Sequence, residues 1–351
     1  YDIKDDGKGA YFTKDLKAKD LDKYVNKYRL NLTAYSGPYM KEKYDETSNT
    51  YTLVKNPNYV GNYEGQKPYI DTIIYKFVQP ETQMDELNTG GVDILLHLGE
   101  GTEINSGMDL VDKGTHGYVE YPRNGYGKLV FVCDRGPTQY VEVRHAIGYL
   151  LDRNEFAKTF TGGHGSVVNG NYGLAQWMVE AREDEIGALN QYSFSLDNAI
   201  AELEKAGFTL DKDGKPYKSG LRYKKLDDGK LMPLIINWCS SENNPVSDLL
   251  ATKLANSEDV KKAGMEIKQN VVTFNELIEN YGQTKKNDYN MYNMGVGFNA
   301  IYNPEFSYAI GNPQNSNRIS DKELAKLAKN LNVVDPSNEK EYLDRYVKFQ
   351  Q

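Results

Sequence analysis

At 351 residues the chain is long enough for two cores, and 39% hydrophobic against 26% charged residues describes a folded, rather polar protein, not a disordered one. A formal charge of −8 argues against broad nucleic-acid binding, which requires clustered Lys and Arg. No apolar run approaches the ~20 residues that cross a bilayer, and Cys133 and Cys239 are too few and too far apart for a disulfide scaffold or a four-cysteine zinc site. Each cysteine lies in an apolar stretch and reads as a buried thiol, with a single disulfide as the alternative.

Residues 20–28 place Leu21, Tyr24, Val25 and Tyr28 on one helical face behind Asp20 as N-cap. Strands are predicted at 51–54 and 70–78, where Ile73, Tyr75 and Phe77 alternate with Thr72, Ile74 and Lys76 as in a half-buried sheet. Thr82 opens a short helix that Gly90 and Gly91 end, and residues 92–96 return as a strand. A polar, Gly-containing stretch at 123–127 leads into 128–132, apolar on both faces and hence a predicted central strand. The domain boundary is placed here, giving 1–124 and 125–351.

Val143, Ala146, Ile147, Leu150 and Leu151 fall at i, i+3, i+4, i+7 and i+8, a core-facing helical stripe. Asp197 caps the next helix, with Ile200, Leu203 and Ala206 inward and Gly207 as its stop. Asp213-Gly214 and Asp228-Gly229 are hairpin dipeptides, so 208–236 reads as a charged β-excursion. A helix at 246–255 and a strand at 265–267 follow. Thr273 with Glu276, and Ser320 with Glu323, form capping boxes before two further helices. Repeating β and α signals imply α/β domains.

Chemistry-bearing patterns are sparse. The four histidines, His97, His116, His145 and His164, are not paired at metal-holding spacings. Gly162-Gly163-His164-Gly165 follows a helix and lacks both the dinucleotide fingerprint and a trailing Gly-Lys-Ser/Thr, so its glycines serve a bend. No serine elbow occurs and no carboxylate pair stands out among 50 acidic residues. No catalytic residue, metal site or cofactor is therefore expected.

One connected set of motifs carries more information: Ser36-Gly37-Pro38-Tyr39, Lys55-Asn56-Pro57-Asn58-Tyr59, Lys67-Pro68-Tyr69-Ile70-Asp71 and Gly90-Gly91-Val92-Asp93-Ile94. Downstream come Val143-Arg144-His145-Ala146-Ile147 with Leu151-Asp152-Arg153, the Asp197 to Gly207 helix, Lys262-Ala263-Gly264-Met265-Glu266-Ile267, and Tyr302-Asn303-Pro304. In this order and spacing they resemble the peptide/nickel family of extracellular solute-binding proteins that feed ABC importers, over roughly residues 30–350. The resemblance implies a two-lobed α/β fold of the periplasmic-binding-protein type, with the second part of lobe I at 1–124 and nearly all of lobe II at 125–351. It also implies a chain lacking the family's N-terminal portion, an oligopeptide or similar solute held between the lobes, permease subunits as partners, and lipid anchoring at the extracellular face through an upstream cysteine.

Under the resemblance, ligand-binding candidates gather where apolar strands end in polar and aromatic residues: Asn237, Trp238 and Ser240, then Phe298, Asn299 and Tyr302, with Asn317 and Arg318 beyond. Trp238 reads either as a stacking platform or as a core anchor. Close relatives carry an aspartate that pairs with a peptide's amino terminus at the position of Ile301, which cannot accept an ammonium hydrogen bond. Either Glu242 or Glu305 replaces it, or the solute is a carbohydrate or other molecule, or Ile301 packs inside lobe II. Outside the solute-receptor class, a secreted hydrolase is the rival.

Overall fold

The computed structural model describes residues 3–7, 9–12, 21, 23, 25, 27, 28, 32, 34–283, 286–299, 301–335 and 337–351. Of the helix expected at 20–28, residues 20, 22, 24 and 26 lie outside them, and residues 21, 23, 25, 27 and 28 are helical. The chain forms two compact units, residues 1–96 and 97–351.

The first unit contains a two-stranded antiparallel ladder, β1 (Ile3–Asp5) with β2 (Ala10–Phe12). It also holds a three-stranded antiparallel sheet of β3 (Tyr39–Asp45), β4 (Thr50–Lys55) and β5 (Thr72–Lys76), in that order. The β3–β4 turn is built by the Asp45 carboxylate, which accepts the Thr47 and Ser48 N–H groups, and by Asn49 in the left-handed region. Asn56 ties the sheet to the preceding segment, donating from Nδ2 to the carbonyls of Tyr35 and Gly37. The expected half-burial of one β5 face is found only at Ile73; Tyr75 and Phe77 are exposed. Residues 92–96 form no strand, and the helix Gln83–Asn88 begins at Thr82 without a side-chain cap.

The second unit is built on a four-stranded sheet in the order β10 (Glu266–Val272), β9 (Ile235–Ser241), β11 (Met291–Gly297), β6 (Gly125–Phe131). Between β6 and the rest lies the expected excursion, whose hairpin is β7 (Tyr223–Lys225) with β8 (Leu231–Pro233). β9 runs parallel to both β10 and β11, whereas β6 is antiparallel to β11. β6 is thus an edge strand, not the central one expected, because helices and loops cover apolar residues on both its faces while its outer backbone edge stays unpaired.

Alternation along the strands sorts side chains to the two faces. Ile236, Trp238 and Met291 join Val143, Ile147 and Leu150 of the Val141–Leu150 helix and Leu203 of the Leu196–Lys205 helix in the main core. Val130, Val132, Cys239 and Tyr292 point the other way and meet Leu277 of the Phe274–Tyr281 helix. A third cluster joins Tyr302 to Tyr346 and Phe349 of the Glu339–Gln350 helix. The Gly101–Asp112 helix belongs to this unit because Gly101 lies against the backbone of Gly162, so closely that a Cβ would come within 2.3 Å of the Gly162 nitrogen.

Caps fall near, but not always on, the expected residues. Thr273 Oγ1 accepts the Glu276 N–H as foreseen. Ser195, not Asp197, caps its helix by accepting from Asn198, and Asp321, not Ser320, accepts from Leu324. Gly162 and Gly163 both have positive φ and turn the chain out of the Arg153–Thr161 helix. Cys133 is half-buried, Cys239 is buried, and both are free thiols.

Candidate functional site

Because β9, β10 and β11 are parallel, their carboxyl ends meet at one edge of the sheet, and antiparallel β6 begins there. In open α/β sheets that edge is where ligands bind, since the loops leaving the strands are free to vary while the sheet fixes their origins. Here it carries Ser240 and Ser241 at the end of β9 with Glu242 beyond, and Phe298, Asn299 and Ile301 to Asn303 after β11.

Phe298 is clamped to the chain preceding β6. Its N–H donates to the Asn124 carbonyl at 2.8 Å, and Asn124 Nδ2 donates to the Phe298 carbonyl at 2.9 Å. Its ring lies 5.8 Å from that of Tyr126 and 5.7 Å from that of Tyr302. Asn299 is exposed, and Ile301 is 83% exposed. Interior packing of Ile301 is therefore excluded: the position presents an apolar side chain to solvent.

Tyr302 is a buried support rather than an open platform. Its hydroxyl donates to the Asn171 carbonyl at 2.7 Å, its ring packs on Tyr346 and Phe349, and burial pushes its phenol far above the usual range. Asn171 is the hub of this network. It donates from Nδ2 to the Tyr308 hydroxyl, accepts from the Tyr126 hydroxyl at Oδ1, and exchanges backbone bonds with the Gln350 side chain. Sequence reasoning missed Asn171, a loop amide with no periodic signal whose partners lie 45 to 179 residues away.

On β9, Trp238 is fully buried in the main core, and its indole N–H donates to Asn293 Oδ1 at 3.0 Å. That is the packing of an anchor, with no ring face left for a ligand. Ser240 is also buried and accepts from Gln269 Nε2 at 2.9 Å. Glu242 is exposed, whereas the Glu305 carboxylate accepts from Asn332 Nδ2 at 2.9 Å.

The remaining candidates lie at the other end of the β6–β11 ladder. Asn317 Nδ2 donates to the Phe131 carbonyl and its own carbonyl accepts the Cys133 N–H. Phe131 pairs with Met291, the first residue of β11, whereas Gly125 pairs with Gly297, the last. Arg318 follows in the left-handed region at φ 53°, with no side-chain hydrogen bond or ion pair among the described residues. Asn237 sits at this end too, bonded through its N–H to Asn290 Oδ1 and through Nδ2 to Asp288. The structure thus brings Phe298, Asn299 and Tyr302 together, and separately Asn237, Asn317 and Arg318, a full strand length apart.

Midway along that ladder is Lys128, opposite Met294 and half-buried; burial pushes its ammonium pKa down. A separate cavity of about 440 Å³, lined by Arg153, Asn169 and Tyr192, includes none of these residues. Its Arg153 is occupied holding loops, donating to the carbonyl of Val168 and to Asn169 Oδ1. Among the described residues there is no group of three or more His, Cys, Asp or Glu side chains that could hold a metal, and no helix long and apolar enough to cross a membrane.

The sequence profile of the family described as bacterial extracellular solute-binding proteins, family 5 Middle, matches residues 8–318. The fold is similar to that of the oligopeptide-binding protein AppA from Bacillus subtilis, solved with a nonapeptide, at TM-score 0.69 and 21% identity over 93% of this chain and 60% of that one. Lactococcal OppA, complexed with an endogenous peptide in the closed conformation, gives TM-score 0.68 and 18% identity over 90% and 57%. NikA from Brucella suis, in complex with Fe(III)-EDTA, gives 0.66 and 18% over 90% and 59%. Among curated proteins none matches. The chain spans about 60% of the length of these solved structures.

Proposed function

Since the chain belongs to family 5 of the bacterial extracellular solute-binding proteins, we propose that it is the solute-receiving part of an ABC importer, that its solute is an extended oligopeptide, and that its role is capture without turnover. The observation that carries the ligand is the separation of the two residue groups. A seven-residue ladder at about 3.4 Å per residue is the length of an extended peptide of six or seven residues. Such a ligand would touch Phe298, Asn299 and Ile301 at one end and Asn237, Asn317 and Arg318 at the other, with backbone hydrogen bonds supplying most of its affinity. Trp238, Ser240 and Tyr302 act from behind, holding the wall in place.

We place the boundary between the lobes at 124–125, where β6 begins, downstream of the division of the compact units at 96–97. Solute capture would couple to closure of one lobe on the other, with permease subunits recognising the closed state at the extracellular face of the membrane, to which a lipid anchor would hold the receptor. An oligosaccharide is the second reading, favoured by the exposed side-chain amides of Asn299 and Asn303.

The test is isothermal titration calorimetry with hexapeptides carrying a free or an acetylated amino terminus, beside an oligosaccharide pool. Because exposed Ile301 gives an ammonium group nothing to pair with, acetylation is expected to change affinity by no more than about threefold. Loss of binding on acetylation would show that an acid such as Glu242 takes the amine after all. Binding of sugars alone would transfer the assignment to the second reading, and absence of any binding would remove the receptor assignment.

A further inference from the structure

Alternation along β6 puts Tyr126, Lys128 and Val130 on one face of the sheet. Val130 is 1% exposed and packs with Tyr292, Cys239 and Leu277. Tyr126 lies at the other side of Lys128, with its ring against Phe298. Lys128 therefore stands about 7 Å along the strand from the aromatic end of the candidate site, given the rise of two residues. The Phe274–Tyr281 helix, which covers this face, lies against β9, two strands away from β6.

Among the described residues the Lys128 ammonium has no ion pair and no hydrogen bond, although the side chain is half-buried and its strand neighbour across the ladder is Met294. Elsewhere in this chain half-buried lysines are engaged: Lys55 pairs with Asp71 at 2.6 Å, and Lys224 donates to the Ala206 carbonyl. A partly desolvated ammonium without a counter-charge is unfavourable to the protein that carries it, and a bound anion removes that cost.

We propose that Lys128 recognises a carboxylate of the ligand, making an acidic group a specificity determinant of the site. The proposal rests on the solute-receptor reading above and adds to it a charge requirement. A lysine suits the task because its compact charge accepts a carboxylate from many directions, so the wall can select for charge without fixing the side chains beside it. With Lys128 midway along the ladder, the wall would favour an acidic side chain near the middle of the ligand, while Ile301 at the strand end leaves the amine unread.

The experiment compares one hexapeptide with a central glutamate, the acid form, and with glutamine at that position, the amide form, each titrated into the wild-type protein and into Lys128→Met and Lys128→Arg. Wild type is expected to prefer the acid by about tenfold, the scale of a charge-assisted hydrogen bond in a partly desolvated site. Lys128→Met should bind both forms equally while its urea midpoint is unchanged or higher, since the lone charge has gone. Lys128→Arg should restore the preference. A wild type that binds acid and amide equally, or a Lys128→Met protein that keeps the preference, overturns the role of Lys128 and leaves peptide capture standing. A wild type that binds neither form overturns both.

Discussion

The three-stranded sheet of the first unit and the four-stranded sheet of the second differ in what covers them. Tyr44, Tyr51 and Tyr75 line up across β3, β4 and β5 in register, yet all three are exposed; among the described residues of that unit only Thr52 and Asn56 are buried. In the second unit Ile236, Trp238, Leu234 and Tyr292 have no exposed surface at all, because helices pack on both sides of the sheet. The first sheet is held by its ladders and by polar ties such as Asn56, the second by apolar burial. Only the second has the rigidity that fixes side chains at strand ends, which is why the candidate site is built there.

The sharpest break of this contrast is Trp238→Ala. It removes the largest buried side chain of the main core and takes the indole donor from Asn293 Oδ1, which keeps only Ser247, so a loss of about 3–5 kcal/mol is expected in urea unfolding of the second unit. Next comes a pH effect at Cys239, whose thiol burial pushes up from 9.0 to about 12. A raised acid pKa favours the protonated thiol in the folded state, so this contribution is complete below pH 9 and is lost as pH rises towards 12. The urea midpoint of wild type should therefore fall more steeply across that range than that of Cys239→Ala, and equal slopes would count against it.

In the first unit, Asn56→Ala should cost about 1–3 kcal/mol, because the carbonyls of Tyr35 and Gly37 lose their shared donor. Hydrogen exchange at the β4 amides would register it, and an unchanged exchange pattern would mean that the ladders alone hold the sheet. Smallest of all, Tyr75→Thr is expected to shift stability by under about 0.5 kcal/mol, since the ring is 51% exposed. A larger loss would reveal that the tyrosine row is a true packing surface.

How much was legible in sequence depended on whether the deciding partners were near in the chain. Val143, Ala146, Ile147 and Leu150 are buried as their 3.6-residue spacing dictates, and Thr273 caps its helix from three residues away. The motifs running from Gly37 to Asp93, and again from Val143 to Pro304, sufficed for the family and the α/β fold. The choice between central and edge position for β6 was not legible, because a strand covered on both faces is apolar whether or not a neighbour pairs with its outer edge. Nor was the strand expected at 92–96, since strand propensity supplies no partner.

The candidate site divides in the same way. Sequence alone determined that Phe298, Asn299 and Ile301 would follow a buried strand, because an apolar run giving way to polar residues marks a strand end. It also determined that Ile301 could not pair with an amine, since that follows from the side chain itself. Tertiary structure alone decided that Trp238 is an anchor, that Ile301 faces solvent, that Asn171 ties Tyr302 to the last helix, and that Asn317 stands a strand length from Phe298. Each of those depends on contacts between residues tens to hundreds of positions apart, and local chemistry carries no record of which distant groups will meet.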